Sequence, residues 1–304
     1  MKNENKIDLL TLKDHDRGMI EKILSKAAKI KENPEKFSRV LQGKNIALLF
    51  NKHSTRTRLS FEAGISQMGG NALYLDAGSL QLSRGENYSD TAKVFSCYLD
   101  GVVIRTFDQE TVEIFAQYAD IPVINGLTDS YHPCQVLSDL FTIKEMGLLR
   151  PGLKFTYMGD CNNVTNSLMI GFSKLGLGIT VCCPPEYGPD KKLLEYCRGL
   201  PGASIDVESD PVEGVRDTHI LYTDVWISMG DEDSRDKIEK LRPYQINSDI
   251  LEYAGSNVRI MHCLPAHRGE EITSDVLDSS RSIVFTQAEN RLYAQKALLE
   301  YIYG

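Results

Sequence analysis

Short apolar runs alternate with longer amphipathic segments along almost the whole chain. This alternation restricts the possible folds more than any other feature. The apolar runs lie at 46–50, 72–75, 102–105, 123–125, 155–158, 179–183, 220–223, 258–262 and 283–285, and their length predicts strands buried on both faces. Between most of them lie helical patterns. One covers about 16–30, where Ile20, Ile23, Leu24, Ala27 and Ile30 share a face; others cover 57–68, 90–99, 111–119, 135–146, 166–175 and 288–301. Such alternation calls for parallel sheets with helices on both sides, so the fold class is α/β. A chain of 304 residues is expected to form two domains. Leu148-Leu149-Arg150-Pro151-Gly152 is the best boundary, because Pro-Gly punctuates there and a fresh strand–helix series follows. The expected domains are 1–147 and 148–287, with a last helix, 288–304, packing back on the first.

Ligands of open parallel sheets bind beyond the carboxyl ends of the strands. The residues that follow each expected strand are therefore informative. Ser54-Thr55-Arg56-Thr57-Arg58 follows Phe50, and Arg105 ends its own strand. A short loop after Asn125 leads to His132-Pro133-Cys134-Gln135, and Gly159-Asp160-Cys161-Asn162-Asn163 follows Met158. Asp224-Val225-Trp226-Ile227-Ser228-Met229-Gly230 follows Thr223, and His262-Cys263-Leu264-Pro265 ends the strand begun at Val258. Polar clusters at the same end of strands from both domains predict one site in the cleft between the domains.

The first cluster has a clear physical logic. The helix behind it ends at Gly69-Gly70, a common stop, and its first turn falls within 54–58. Free backbone N–H groups and the positive end of the helix dipole both favour an anion there. Ser54, Thr55 and Thr57 add hydroxyl donors, and Arg56 offers bidentate bonds to phosphate oxygens. The competing interpretation is an ordinary Ser/Thr cap with solvated arginines. Neither G-x-x-x-x-G-K-[ST] nor a G-x-G-x-x-G after 155–158 occurs, which argues against a nucleotide-binding loop and a dinucleotide-dependent dehydrogenase.

Composition narrows the partners. The net charge of −8 makes nucleic acid and an anionic membrane poor candidates. Seven cysteines without a C-x-x-C pair argue against a zinc site or a disulfide framework and point to a reducing, cytoplasmic setting. No segment approaches the roughly 20 apolar residues of a membrane span, and the polar N-terminus leads into no signal-type apolar stretch.

The combination of Ser54-Thr55-Arg56-Thr57-Arg58 with His132-Pro133-Cys134-Gln135 resembles the carbamoyl-phosphate signature of the aspartate/ornithine transcarbamylase family. Asp224-Val225-Trp226-Ile227-Ser228-Met229-Gly230 and His262-Cys263-Leu264-Pro265 resemble the ornithine branch of that family. The resemblance runs from the first helix to the last. It implies transfer of the carbamoyl group of carbamoyl phosphate to the side-chain amine of ornithine, giving citrulline and phosphate, with neither metal nor cofactor. Carried over residue by residue, it assigns Ser54, Thr55, Arg56 and Thr57 to the phosphate. Arg105, His132 and Gln135 are assigned to the carbamoyl end, and Arg291 completes that pocket. Gln81 would reach carbamoyl phosphate in a neighbouring subunit. Asn163, Asp224, Ser228 and Met229 would bind the amino-acid part of ornithine, and Cys263 and Leu264 would lie beside the reacting centre. Arg105, His132 and Cys263 are the expected catalytic group. The segment around Ser228-Met229-Gly230 would fold over ornithine. The family also implies trimers, or assemblies of trimers, with shared active sites.

Three positions depart from the family pattern. Asn51 and His53 stand where Glu and Pro are frequent, and Cys161 stands where Gly or Ala is common. The nearest rival substrates are putrescine or an N-acylated ornithine, and a rival class is a non-catalytic binder of a phosphorylated metabolite. Asp224 and the Ser-Met-Gly segment suit a free α-amino acid, and the set Arg105, His132, Gln135, Cys263 and Arg291 is more than a sensor needs.

Overall fold

The computed structural model describes residues 6–227 and 235–304. The chain divides into two compact units. One comprises the chain up to Phe141 together with Glu289–Gly304, and the other comprises Thr142–Ala288.

The first unit holds a four-stranded parallel sheet. Its strands are β1 (Asn45–Phe50), β2 (Asn71–Asp76), β3 (Gly101–Arg105) and β4 (Val123–Leu127), in the order β2-β1-β3-β4. The two inner strands are apolar along their length, as double-sided cover demands, while β2 at the edge alternates towards solvent. The helices are α1 (Arg17–Glu32), α2 (Thr55–Gln67), α3 (Tyr88–Tyr98) and α4 (Gln109–Tyr118), followed by α5 (Pro133–Glu145). Ala47, Leu49, Val102, Ile104, Val112, Phe115 and Val123 form one core on this sheet. The chain leaves β1 for β2 on one side and then crosses back to place β3 on the other. The reversal of direction therefore lies between β1 and β3.

The second unit repeats the principle with five parallel strands. They are β5 (Phe155–Met158), β6 (Gly178–Cys182), β7 (Ser204–Glu208), β8 (Ile220–Thr223) and β9 (Arg259–His262), in the order β7-β6-β5-β8-β9. Its helices are α6 (Asn163–Lys174), α7 (Lys191–Arg198), α8 (Pro211–Val215), α9 (Arg235–Leu241), α10 (Ser248–Leu251) and α11 (Ser274–Leu277). Here the reversal lies between β5 and β8. Aromatic rings fill the middle of this sheet: Phe155 packs on Phe172 with centroids 4.5 Å apart, and Tyr157 stacks on Tyr222 at 6.0 Å. Gly159 sits at φ 128°, in the region that favours glycine, directly behind β5, and a Cβ there would lie 3.3 Å from the indole nitrogen of Trp226.

The last helix, α12 (Val284–Tyr303), corrects one expectation. Residues 283–285 are not a strand. Pairing with β9 is limited to the bridge between Ile260 and Ser282 and to the Ile283 amide, which donates to the Ile260 carbonyl at 3.0 Å. The Gln287 amide then donates to the Ile283 carbonyl at 2.9 Å, and the chain is already helical. A second correction is β7, an unexpected edge strand. Within the first unit, α12 lies on α2 and α1. A Cβ on Gly64 of α2 would meet Lys296 at 3.2 Å, and Lys31 of α1 donates to Asn290 at 2.9 Å. No helix among the described residues is long and apolar enough to cross a membrane.

Among the glycines of the second unit, Gly214 of α8 leaves the least room for a side chain, against β6. A Cβ on Gly214 would lie 2.4 Å from the Cys182 sulfur and 2.8 Å from its Cβ, both anchored in a strand that cannot yield. Gly214→Ala is expected to lower unfolding stability by about 1–3 kcal/mol, as overpacked interiors do. A urea titration measures this, and an unchanged midpoint would show that α8 can slide.

Candidate active site

The two strand-order reversals are where open α/β sheets place ligands, and the polar clusters fall at both. In the first unit, β1 runs into Ser54, the N-cap of α2, whose hydroxyl accepts from the Thr57 amide at 3.2 Å. Thr55 and Arg56 occupy the first turn. Thr57 is buried, whereas Arg58 is turned aside, donating to Glu62 at 2.9 Å with its guanidinium 3.6 Å from the Tyr74 ring centroid. Arg105 closes β3 and is buried, and its carbonyl accepts from the Asn51 amide at 2.8 Å, tying the ends of β1 and β3 together.

Helix α5 brings the remaining groups. His132 precedes Pro133, which suits the first helical position because its ring removes an amide that would lack a helical partner anyway. The His132 carbonyl accepts from the Gln135 amide at 3.1 Å. Gln135 is buried; its amide nitrogen donates to Asp139 at 2.8 Å and its oxygen accepts from Arg291 of α12. The other terminal nitrogen of Arg291 donates to the Thr57 hydroxyl at 3.0 Å. One guanidinium thus joins α12, α5 and α2. Burial, and next the positive charges of Arg291 and Arg105, hold His132 well below the usual imidazole range, so it is neutral at pH 7. Five expected residues, Thr57, Arg105, His132, Gln135 and Arg291, therefore belong to one network. Gln81 is exposed in the 3-10 turn Gln81–Arg84 and takes no part in it.

In the second unit, three strand ends converge. Asp224, just beyond β8, is buried. One of its oxygens accepts from the Cys263 thiol at 2.7 Å and from the Val225 amide at 2.8 Å, and the other accepts from the Asn162 side chain at 2.7 Å. Asn162 is also the N-cap of α6, with its oxygen accepting from the Val164 amide at 2.9 Å in a reciprocal capping box with Thr165. Asn163 is the first helical residue behind it. Asn162 is the residue that meets Asp224, and its spacing from Thr165 marks it as the cap.

Cys263 and Leu264 are held from behind. The Leu264 amide donates to His262 Nδ1 at 2.8 Å, so the ring proton lies on Nε2, which faces Glu271 at 3.0 Å with both side chains fully buried. The His262 amide donates to Gln287 at 2.9 Å. These contacts hold Leu264 at φ 56°, a conformation disfavoured for a branched side chain. Asp224, His262 and Cys263 offer ligand atoms within 4.8 Å of one another. Both ring nitrogens of His262 are engaged in the bonds just described. Glu271 and Gln287 were invisible in the sequence, one inside a charged run and the other between an expected strand and an expected helix. Trp226 is buried as packing, and His267 and Arg268 are exposed. The expected contacts of Ser228 and Met229, and the Gly230 hinge, lie outside the described residues.

Comparison with known proteins gives a consistent outcome. Residues 7–145 match the family model for the aspartate/ornithine carbamoyltransferase carbamoyl-P binding domain, and residues 151–302 match that for the Asp/Orn binding domain. An ornithine carbamoyltransferase of Thermococcus kodakarensis is 49% identical over 303 residues, covering 98% of this chain and 96% of that protein. The solved structure of ornithine carbamoyltransferase from Pyrococcus furiosus superposes with a TM-score of 0.94 at 46% identity, covering 100% of this chain and 99% of that one. The anabolic enzyme of Campylobacter jejuni gives 0.91 at 37%, with 99% of both chains covered. With both domain models matched in order and near-complete coverage, the chain belongs to the aspartate/ornithine carbamoyltransferase family.

Proposed function

We propose that the protein is an ornithine carbamoyltransferase, moving the carbamoyl group of carbamoyl phosphate to the δ-amine of L-ornithine to give L-citrulline and phosphate. The observation that carries this is a neutral, buried His132 beside two guanidiniums, Arg105 and Arg291, with Thr57 and Gln135 fixed by Arg291. Such a set suits an anion bearing a carbonyl. The helix α2 N-terminus, Ser54, Thr55, Arg56 and Thr57 bind the phosphate, and Arg105, His132, Gln135 and Arg291 address the carbamoyl group. Residues 1–147 with the helix at 288–304 form the carbamoyl-phosphate domain, and 148–287 form the ornithine domain.

The mechanism follows from charge. The ornithine amine attacks the carbonyl carbon, and the oxygen becomes an oxyanion in a tetrahedral intermediate. An N–H of the neutral His132 and the Arg105 guanidinium donate to that oxygen. One such donor is worth about 3–4 kcal/mol in the transition state. Phosphate then departs as its charge is matched by Arg56 and the helix end. A solution amine with pKa about 10.4 is free in only about one molecule in two thousand at pH 7, which costs about 4–5 kcal/mol. Cationic neighbours and exclusion of water lower that pKa.

In the ornithine half, Asp224 accepts from the substrate α-ammonium, with Asn163, Ser228 and Met229 around the amino-acid part. Asn162 and Cys263 hold both Asp224 oxygens in position, and Leu264 borders the reacting centre. Gln81 reaches the carbamoyl phosphate of a neighbouring subunit in a homotrimer. A cytoplasmic location suits seven cysteines that are all free thiols. One relative, from Pyrococcus furiosus, carries the name "anabolic", which favours the synthetic direction here.

The direct experiment is a citrulline assay with ornithine and carbamoyl phosphate, without added metal or nucleotide. Turnover is expected, faster than with putrescine or N-acetylornithine; folded protein giving no citrulline above background refutes the activity. Two variants are expected to behave as mirror images. Arg291→Lys keeps the charge but cannot hold Gln135 and Thr57 together, so kcat/KM for carbamoyl phosphate falls about ten- to a hundredfold, equivalent to about 1.5–3 kcal/mol. Asp224→Asn raises the KM for ornithine by a similar factor and spares carbamoyl-phosphate binding. Loss of the same substrate in both variants would contradict the division of labour.

The lowered pKa of His132 sets the acid limb. A free imidazole gains its proton as pH falls through about 6.5. Here the proton is opposed by burial and two positive charges, so neutrality persists below that value. The affinity for carbamoyl phosphate, measured without ornithine so that no amine titrates, is expected to stay level from pH 8 down through 6.5. An inflection at 6.5 that disappears in His132→Gln would mean that the ring titrates freely.

A further inference from the structure

We propose that Cys161 and Cys183 are a modification site, closing to a reversible intramolecular disulfide on exposure to a small disulfide, and that closure weakens ornithine binding. The second half of this proposal rests on the ornithine assignment of Asn162 and Asp224 given above.

The strand register brings the two cysteines together. Strands β5 and β6 are parallel neighbours with Met158 opposite Cys182, and the Gly159 amide donates to the Cys182 carbonyl at 2.9 Å. Cys161 lies three residues past the end of β5 and Cys183 one residue past the end of β6. The Cys161 amide donates to the Tyr187 carbonyl at 3.1 Å, pinning its loop to the segment that follows Cys183. The Cys183 sulfur faces that same segment, 3.9 Å from where a Cβ on Gly188 would stand. Cys182 points the other way, as alternate strand residues must. Its sulfur lies against α8 and donates to the Asp210 carbonyl at 3.6 Å. The partner of Cys161 is therefore Cys183. The mutual influence of the two thiols lowers the pKa of Cys183 and raises that of Cys161, as expected for two sulfurs sharing a proton.

The chemistry balances with the small disulfide as oxidant. Cys161 is half-buried and Cys183 is buried, so Cys161 is the more exposed residue of the two. Its proton passes to Cys183, and the resulting Cys161 thiolate attacks the small disulfide, whose S–S bond breaks and releases one thiol. Cys183 then displaces the second thiol from the mixed disulfide. Two protein thiols and one small disulfide become one protein disulfide and two small thiols. The sulfurs must approach to about 2.05 Å, which draws Cys161 towards β6.

That movement acts on the ornithine half. Cys161 is bonded directly to Asn162, which caps α6 and donates to Asp224 at 2.7 Å. On its other side, Asp160 pairs with Lys237 of α9 at 2.8 Å. A sub-ångström to ångström displacement of such groups is worth about tenfold to a hundredfold in enzymes generally.

The full-length protein is treated with bis(2-hydroxyethyl) disulfide and mapped by non-reducing peptide mass spectrometry. Expected is a peptide pair joining Cys161 to Cys183, lighter by two hydrogens. The KM for ornithine is expected to rise about tenfold, with that for carbamoyl phosphate unchanged and dithiothreitol restoring both mass and KM. Cys161→Ala, which places a residue common in the family at that position, is expected to abolish both effects, as is Cys183→Ala. Free thiols at both positions while exposed Cys97 is modified, or a link through Cys182, overturns the pairing. A 161–183 link with unchanged ornithine KM overturns the coupling. Failure of the fully reduced protein to make citrulline counts instead against the proposed activity, with the peptide map still reporting on the disulfide.

Discussion

The Arg291 guanidinium is the interaction on which the first half-site depends. It is buried, and it reaches Gln135 on one side and Thr57 on the other. A second guanidinium, Arg105, is buried at the end of β3 and within electrostatic reach of the same histidine. Two like charges taken out of water carry a penalty of several kcal/mol each before compensation. Neutral partners such as Gln135 and Thr57 offset part of it. An anion bound at the N-terminus of α2 would offset more. The neutral His132 follows from the same cause: it is the one titratable group in the set that can yield its charge.

The second half-site solves the opposite problem. Asp224 is a buried carboxylate whose oxygens already receive bonds from a thiol, a backbone amide and a side-chain amide. Each donor lowers the burden of burying the charge and fixes the direction of the remaining lone pairs. Behind it, the fully buried His262–Glu271 pair holds the loop bearing Cys263 and Leu264 in a backbone conformation it would otherwise avoid. Rigid support behind a reactive edge is what positioning to fractions of an ångström demands.

Much of this was legible in the sequence. The buried strands betrayed themselves through continuous apolar runs, and the polar clusters stood out because they follow those runs directly. The reversal points of the two sheets then explain why those clusters matter. What escaped had physical reasons. Strand β7 buries little beyond Ile205 and leaves Val207 43% exposed, so no apolar run announces it. Ile283-Val284-Phe285 has strand composition, yet pairing with β9 lasts only a residue or two and Phe285 is 71% exposed at the start of a helix. Local preference lost to tertiary context. Glu271 sits in an Arg-Gly-Glu-Glu run that resembles solvent-facing loop, and nothing local reveals that one of its two carboxylates is wholly enclosed.

The bond from Arg291 to Thr57 spans 234 positions of the chain, and the one to Gln135 spans 156. A ribosome releases the threonine long before the arginine. The nascent amino-terminal sheet can form early, since domains fold as units during synthesis, but Thr57 and Gln135 lack their Arg291 partner until the final helix emerges and docks. The two long-range bonds of Arg291 are thus withheld until the second unit has also been made, so the order of synthesis sets the order in which this network can close.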